Sequence, residues 1–130
     1  MAKTLALVFG IVFVLVGLLG FVSNPLVGAN GLFMTNGLHD IVHLLFGIIL
    51  IWASRGGQTR SVSWLKILGV VYLVLAVLGF LLAPSGPSLL GLVTVNMADH
   101  WLHVVLGVVL LLAAYMGNNS SSSMQPGAMA

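Results

Sequence analysis

Every histidine and every acid in the chain lies in one of two short windows of closely similar pattern. The first is Asn36-Gly-Leu-His39-Asp40-Ile-Val-His43, closed by Gly47, and the second is Asn96-Met-Ala-Asp99-His100-Trp101-Leu-His103, closed by Gly107. The only other charged side chains are Lys3, Arg55, Arg60 and Lys66. Asn36, His39/Asp40, His43 and Gly47 follow the spacing i, i+3/i+4, i+7, i+11, which is one stripe of a helix. The second window repeats that stripe with its first acid and histidine exchanged in order.

Several chemistries fit such a pattern. His39 and His43 at i, i+4, facing Asp99 and His103 at i, i+4, could supply four nitrogen and oxygen ligands to a transition metal. His43 and His103 alone could be axial ligands of a b-type haem in a helical bundle. Imidazole and carboxylate in series could pass protons or a small solute, although no charged group continues the path. The plainest reading is polar glue. Asn36, Asp40, His43, Asn96, Asp99, His100 and His103 then bond across helices and fix the register of the two windows, with room for a ligand.

Capping accounts for part of the pattern. Asn36 and Asn96 suit helix N-caps, Asp99 stands three residues past its cap, and both acids fall in a first turn where the helix dipole favours them. His43 and His103 lie a turn deeper, about 10 Å from the caps, and capping does not explain them. They should be neighbours on facing helices, with Asp40 and Asp99 as hydrogen-bond partners.

An enzymatic role is not expected, and no catalytic residue is assigned. His39-Asp40-Ile-Val-His43 resembles the zinc motif H-E-x-x-H, but Asp is a methylene shorter than Glu and no further ligand is evident nearby. There is no phosphate loop. The absence of cysteine excludes disulfides, thiol nucleophiles and covalently attached haem.

The elements that must position these residues are legible from composition. Hydrophobic residues make up 60% of the 130 and charged ones 5%, with mean hydropathy +1.20, far below the roughly one-quarter charged content of soluble domains. Four apolar runs stand out: Leu5–Val22, Leu38–Ala53, Leu65–Ala83 and about Met97–Met116. At about 1.5 Å per residue each spans about 24–30 Å, near the thickness of the hydrocarbon layer. Backbone groups in lipid must bond internally, so the runs should be helices. The expectation is an all-α, integral membrane four-helix bundle.

The positive-inside rule sets the orientation. All four basic residues flank the first run or the middle connection, which places both termini and that connection in the cytoplasm. Trp52 and Trp64 would anchor the same side at the headgroups. The net charge of +2 calls for no nucleic acid, since anionic lipid is a sufficient counterpart. The bilayer is the expected partner, and a homo-oligomer is left open. Leu5–Val22 exceeds the 7–15 residues usual for a signal-peptide core, so it is expected to be a retained helix.

The chain also reads as a tandem repeat. Gly10-Ile-Val-Phe-Val-Leu-Val-Gly17-Leu-Leu-Gly20-Phe21 aligns with Gly69-Val-Val-Tyr-Leu-Val-Leu-Ala76-Val-Leu-Gly79-Phe80 at an offset of 59. Gly31, Leu32, Asn36, His43 and Gly47 align with Gly91, Leu92, Asn96, His103 and Gly107 at 60. Two helical hairpins, about 5–54 and 65–116, would insert alike about a parallel pseudo-twofold axis, forming a single domain over 1–116. The glycines should let helices approach closely. Breaker-rich outer loops are expected over 23–37 and 84–95, and a low-complexity, disordered tail over 117–130.

The pattern Gly31-Leu32…Asn36-x-x-His39-Asp40-x-x-His43-Leu44-x-x-Gly47, followed by Gly69–Phe80 and Val95-Asn96-x-Ala98-Asp99-x-Trp101-Leu102-His103, resembles a group of small bacterial four-helix membrane proteins. That group is the domain of unknown function 4383. The likeness runs from about Leu5 to Tyr115 and departs at Asp40 and His100, where members commonly carry Asn. It implies a multi-pass protein of the bacterial inner membrane and brings no activity with it.

Overall fold

The computed structural model describes residues 1–123. Four helices dominate: α1 (Ala2–Leu19), α2 (Gly37–Arg55), α3 (Gln58–Leu82) and α4 (Met97–Ser123). All four are long and apolar enough to cross a membrane. The connection from α1 to α2 carries a parallel pair, β1 (Val27–Gly28) with β2 (Phe33–Met34). The connection from α3 to α4 carries an antiparallel pair, β3 (Ser88–Leu89) with β4 (Val93–Thr94). These short strands were not expected in loops read only as breaker-rich. They form one end of the bundle, here the loop end.

The helices pack most closely in sequential pairs, α1 on α2 and α3 on α4. Glycine is the reason. A Cβ on Gly10 would meet Gly47 O at 2.8 Å, and one on Gly47 would meet Gly10 O at 2.7 Å. In the other pair, a Cβ on Gly107 would meet Gly69 O at 3.0 Å and one on Gly69 would meet Gly107 O at 3.1 Å. In the first pair the backbones stand too close for any side chain, and in the second a Cβ would force its neighbours to give, in keeping with close approach at small residues.

At the opposite end the helices run further than their apolar stretches. α3 begins at Gln58, seven residues before the apolar run, so Gly56 and Gly57 alone separate it from α2. Gly57 takes φ +105° and ψ −177°, a conformation open essentially to glycine, and so reverses the chain in minimal space. The polar residues that suggested a longer loop satisfy helix ends instead. Ser61 Oγ lies 2.7 Å from Gly57 O and 3.2 Å from Ala53 O. Arg60 donates to Trp52 O at 2.8 Å while its guanidinium stacks on the Trp52 ring at 3.8 Å. Gln58 accepts from Lys3 N at 3.3 Å and donates to Gly117 O at 3.0 Å, joining the ends of α1, α3 and α4.

α4 continues through Ser123, so the segment expected to be disordered from Gly117 begins as helix. The remainder of that tail, 124–130, lies outside the described residues. Between the two ends the core is apolar: Phe13, Leu50, Leu65, Leu68 and Leu110 are buried with Ala6 and Ala113.

Candidate metal centre

The loop end of the bundle is organised by its two helix caps. Asn36 Oδ1 accepts from His39 N at 3.0 Å, and Asn96 Oδ1 accepts from Asp99 N at 3.0 Å. Each amide group then crosses to the other half of the chain. Asn36 Nδ2 donates to Leu92 O at 3.0 Å, and Asn96 Nδ2 donates to Leu32 O at 2.9 Å. One side chain thus caps its own helix with its oxygen and holds the opposite loop with its nitrogen.

The exchanged order of acid and histidine now has a physical consequence. Asp99 Oδ2 accepts from Asn96 N at 2.9 Å, completing a reciprocal capping box. His39 occupies the same place after Asn36 but cannot close a box with an acceptor carboxylate. Its Nδ1–H instead donates to Thr94 O at 2.8 Å, across the seam between the halves. That bond fixes the ring and leaves Nε2 with its lone pair free.

His43 follows His39 one turn along α2, with ring centroids 5.4 Å apart, and His103 of α4 stands 5.9 Å from His39. One ligand nitrogen from each of His39, His43 and His103 lies within 4.8 Å of the other two. All three side chains are buried. Tyr72 of α3 packs beside them, 5.3 Å from His103 and 6.2 Å from His43 between centroids. Phe13 of α1 closes the base, 5.8 Å from His43 and 5.6 Å from Tyr72. His43 Nδ1, His103 Nδ1 and Tyr72 Oη are buried without a hydrogen-bond partner. The expected neighbours, His43 and His103, are therefore brought together with His39, and the cluster could hold a metal ion.

The acids do not play the parts expected of them. Asp99 is committed to its capping box and lies outside the histidine cluster, so three imidazoles converge rather than a four-ligand set. Neither acid is hydrogen-bonded to a histidine among the described residues; Asp40 Oδ1 is buried with no partner at all. The Asp40 carboxyl lies where a Cβ on Gly20 would stand, and the His100 ring lies where a Cβ on Gly79 would stand. His100 Nε2–H donates to Ala83 O at 2.6 Å, which ties α4 to the end of α3 and leaves His100 out of the cluster. At the end of α1, Asn24 donates to Leu19 O at 2.8 Å and accepts from Val27 N at 2.8 Å. Sequence reasoning missed Tyr72, although a phenol in an otherwise apolar run, 59 residues after Phe13, was a visible signal.

Four apolar helices enclosing a buried histidine cluster define a small helical bundle, every helix of which is long and apolar enough to span a bilayer. The chain belongs to the family described as domain of unknown function DUF4383, whose model matches residues 3–116. No curated protein and no solved structure matches it.

The double use of each asparagine is separable by mutation. Asn36→Ser keeps a good cap but cannot reach Leu92 O, and is expected to cost about 0.5–1.5 kcal/mol, one hydrogen bond. Asn36→Ala loses the cap as well and should cost roughly 1–3 kcal/mol. Thermal unfolding followed by helical circular dichroism in detergent checks the order; equal losses would remove the cross-seam bond from the account.

Proposed function

We propose that the chain is a four-span integral membrane protein that binds a transition metal ion through His39, His43 and His103 at the seam between two hairpins. The observation that carries the reading is the convergence of three buried imidazole nitrogens from two helices within 4.8 Å. Tetrahedral coordination at about 2.0–2.1 Å sets ligand nitrogens about 3.3 Å apart, so the cluster closes on a zinc-class ion by a contraction of at most about 1.5 Å. The bond from His39 to Thr94 O supplies the outer support that metal-binding histidines commonly have.

Haem fits the same residues less well. If His43 and His103 took axial positions at about 2 Å, the His39 nitrogen would fall within about 4.4 Å of the iron, inside the area a porphyrin covers. A conduit also finds little support. Beyond Tyr72 the core between the cluster and Ser54 and Ser61 is built from Leu50, Leu68, Leu110 and alanines, and no buried polar side chain among the described residues continues a path. The reciprocal asparagine bonds support the locking role of the polar cluster, which serves the metal site by holding α2 and α4 in register.

Membrane insertion is supported by the outward faces. Only 28–39% of each span is buried inside the bundle. The rest exposes residues such as Leu15, Ile41, Ile48, Val74, Val77, Val105 and Leu112, an apolar area far beyond what water-soluble monomers tolerate. We place the termini and the Gly56-Gly57 turn in the cytoplasm of a bacterial cell and the loop end, with the metal site beneath it, at the outer face of the inner membrane.

Two experiments test these proposals. Purified protein freed of metal should bind one Zn2+ or Co2+ per chain, and His39→Ala, His43→Ala and His103→Ala should each weaken it beyond the roughly 10–100-fold typical of outer-sphere changes. Asn36→Ser should keep the stoichiometry. Wild-type affinity in all three histidine variants would overturn the site. For topology, the chain has no cysteine, so Ser85→Cys and Thr59→Cys are unique reporters at opposite ends. A membrane-impermeant maleimide should label Ser85→Cys in intact cells and Thr59→Cys only after lysis; the reverse pattern would invert the orientation.

A further inference from the structure

Between α1, α2 and α4, beneath β1 and β2, lies a partly open cavity of about 260 Å3. Thr35, His39, Asp40, His43 and Asp99 line it, so both acids of the chain meet it together with two of the three candidate metal ligands. The two acids are not equally engaged. Asp99 Oδ2 is held by Asn96 N. Asp40 is 2% exposed, and its Oδ1 has no partner. Thr35 Oγ1 and His43 Nδ1 are buried and unpartnered in the same way. Three neighbours around one cavity thus carry polar atoms that a folded protein ordinarily pairs.

We propose that Asp40 is a positioning residue of the metal centre, its carboxylate accepting the Nδ1–H of His43 while Nε2 of that ring meets the metal. The inference rests on the metal reading above. An imidazole that binds a metal almost always donates its other ring N–H to a carboxylate, a carbonyl or water, which fixes the ring and makes it a better ligand. His39 has such a partner in Thr94 O, and His43 has none. Asp40 stands three residues before His43 on α2, a spacing that sets Cβ atoms about 5–6 Å apart. A carboxylate and an imidazole joined by a hydrogen bond span that distance.

Room for the carboxyl comes from α1. It rests where a Cβ on Gly20 would stand, outside the set of converging nitrogens, so it reaches the metal through His43 and not directly. The cavity leaves it space to turn along α2. One carboxylate oxygen then meets His43, and the other is left for the Thr35 hydroxyl, so that all three unpartnered atoms are satisfied together. Charge favours the same arrangement. Three neutral imidazoles leave a divalent ion unbalanced, and an anion one ring away in an apolar bundle is felt strongly.

Cobalt and zinc loading of the protein in nanodiscs tests this. Asp40→Ala should still take one Co2+ per chain with unchanged visible bands, and bind it roughly 10–100-fold more weakly, as outer-sphere losses do. In zinc-loaded protein with 15N-labelled histidine, the Nδ1–H proton of His43 should be far downfield and slow to exchange. Asp40→Ala should move that signal upfield and leave the Nδ1–H of His39, bound to Thr94 O, where it was. Asp40→Asn, which keeps the shape and an oxygen acceptor without the charge, should lie between the two in both readouts and carries the test if Asp40→Ala does not fold. Wild-type cobalt affinity and an unmoved His43 signal in these variants would overturn the inference while the metal site stands. Altered visible bands in Asp40→Ala would overturn it by placing the carboxylate on the metal itself. Protein that takes no cobalt would remove both the inference and the site beneath it.

Discussion

The fold turns on a single constraint: polar atoms enclosed by an apolar bundle must find partners within the protein. At the loop end the two halves of the chain meet through loops and helix termini rather than through a deep apolar interface. Asn36 and Asn96 meet the constraint for both halves at once, each capping its own helix and donating to a carbonyl of the opposite loop. The loop held by Asn36 also carries Thr94 O, the partner of His39, so the His39 ring is tied to that crossing.

The loop ends of the two hairpins carry different burdens. Close glycine contact sets the separation of α1 from α2 and of α3 from α4 in the same way. Above those contacts the chemistry diverges. Asp99 turns back to close a capping box, and His39 turns outward across the seam. His100 supplies a donor for Ala83 O after α3, whereas the end of α1 is tied by Asn24, which donates to Leu19 O. With acid and histidine exchanged between the windows, three imidazoles lie together on one side while Asn36 and Asn96 cap their own helices.

Much of this was legible in the sequence where the physics is local. Caps at Asn36 and Asn96, the box at Asp99 and the shared stripe of His39 and His43 follow from helical spacing and first-turn chemistry alone. The approach of His103 followed from the two windows having like places in their hairpins. What local spacing could not reveal was which acceptor each polar group would choose. Asp99 looked equally able to ligate a metal or cap a helix, and the cap won because its backbone donor is three residues away and prepaid by the helix itself. Tyr72 was hidden because a phenol in an apolar run packs much as Phe13 does. The early start of α3 was obscured because Gln58, Arg60 and Ser61 resemble loop residues until their partners on α1, α2 and α4 are known.

The central claim is that His39, His43 and His103 ligate one metal ion. X-ray absorption at the zinc edge of stoichiometrically loaded protein tests it most directly. The account predicts four light-atom neighbours at about 2.0–2.1 Å, with outer-shell scattering characteristic of three imidazoles. A spectrum with no imidazole scattering, or one unchanged in His103→Ala, would contradict it.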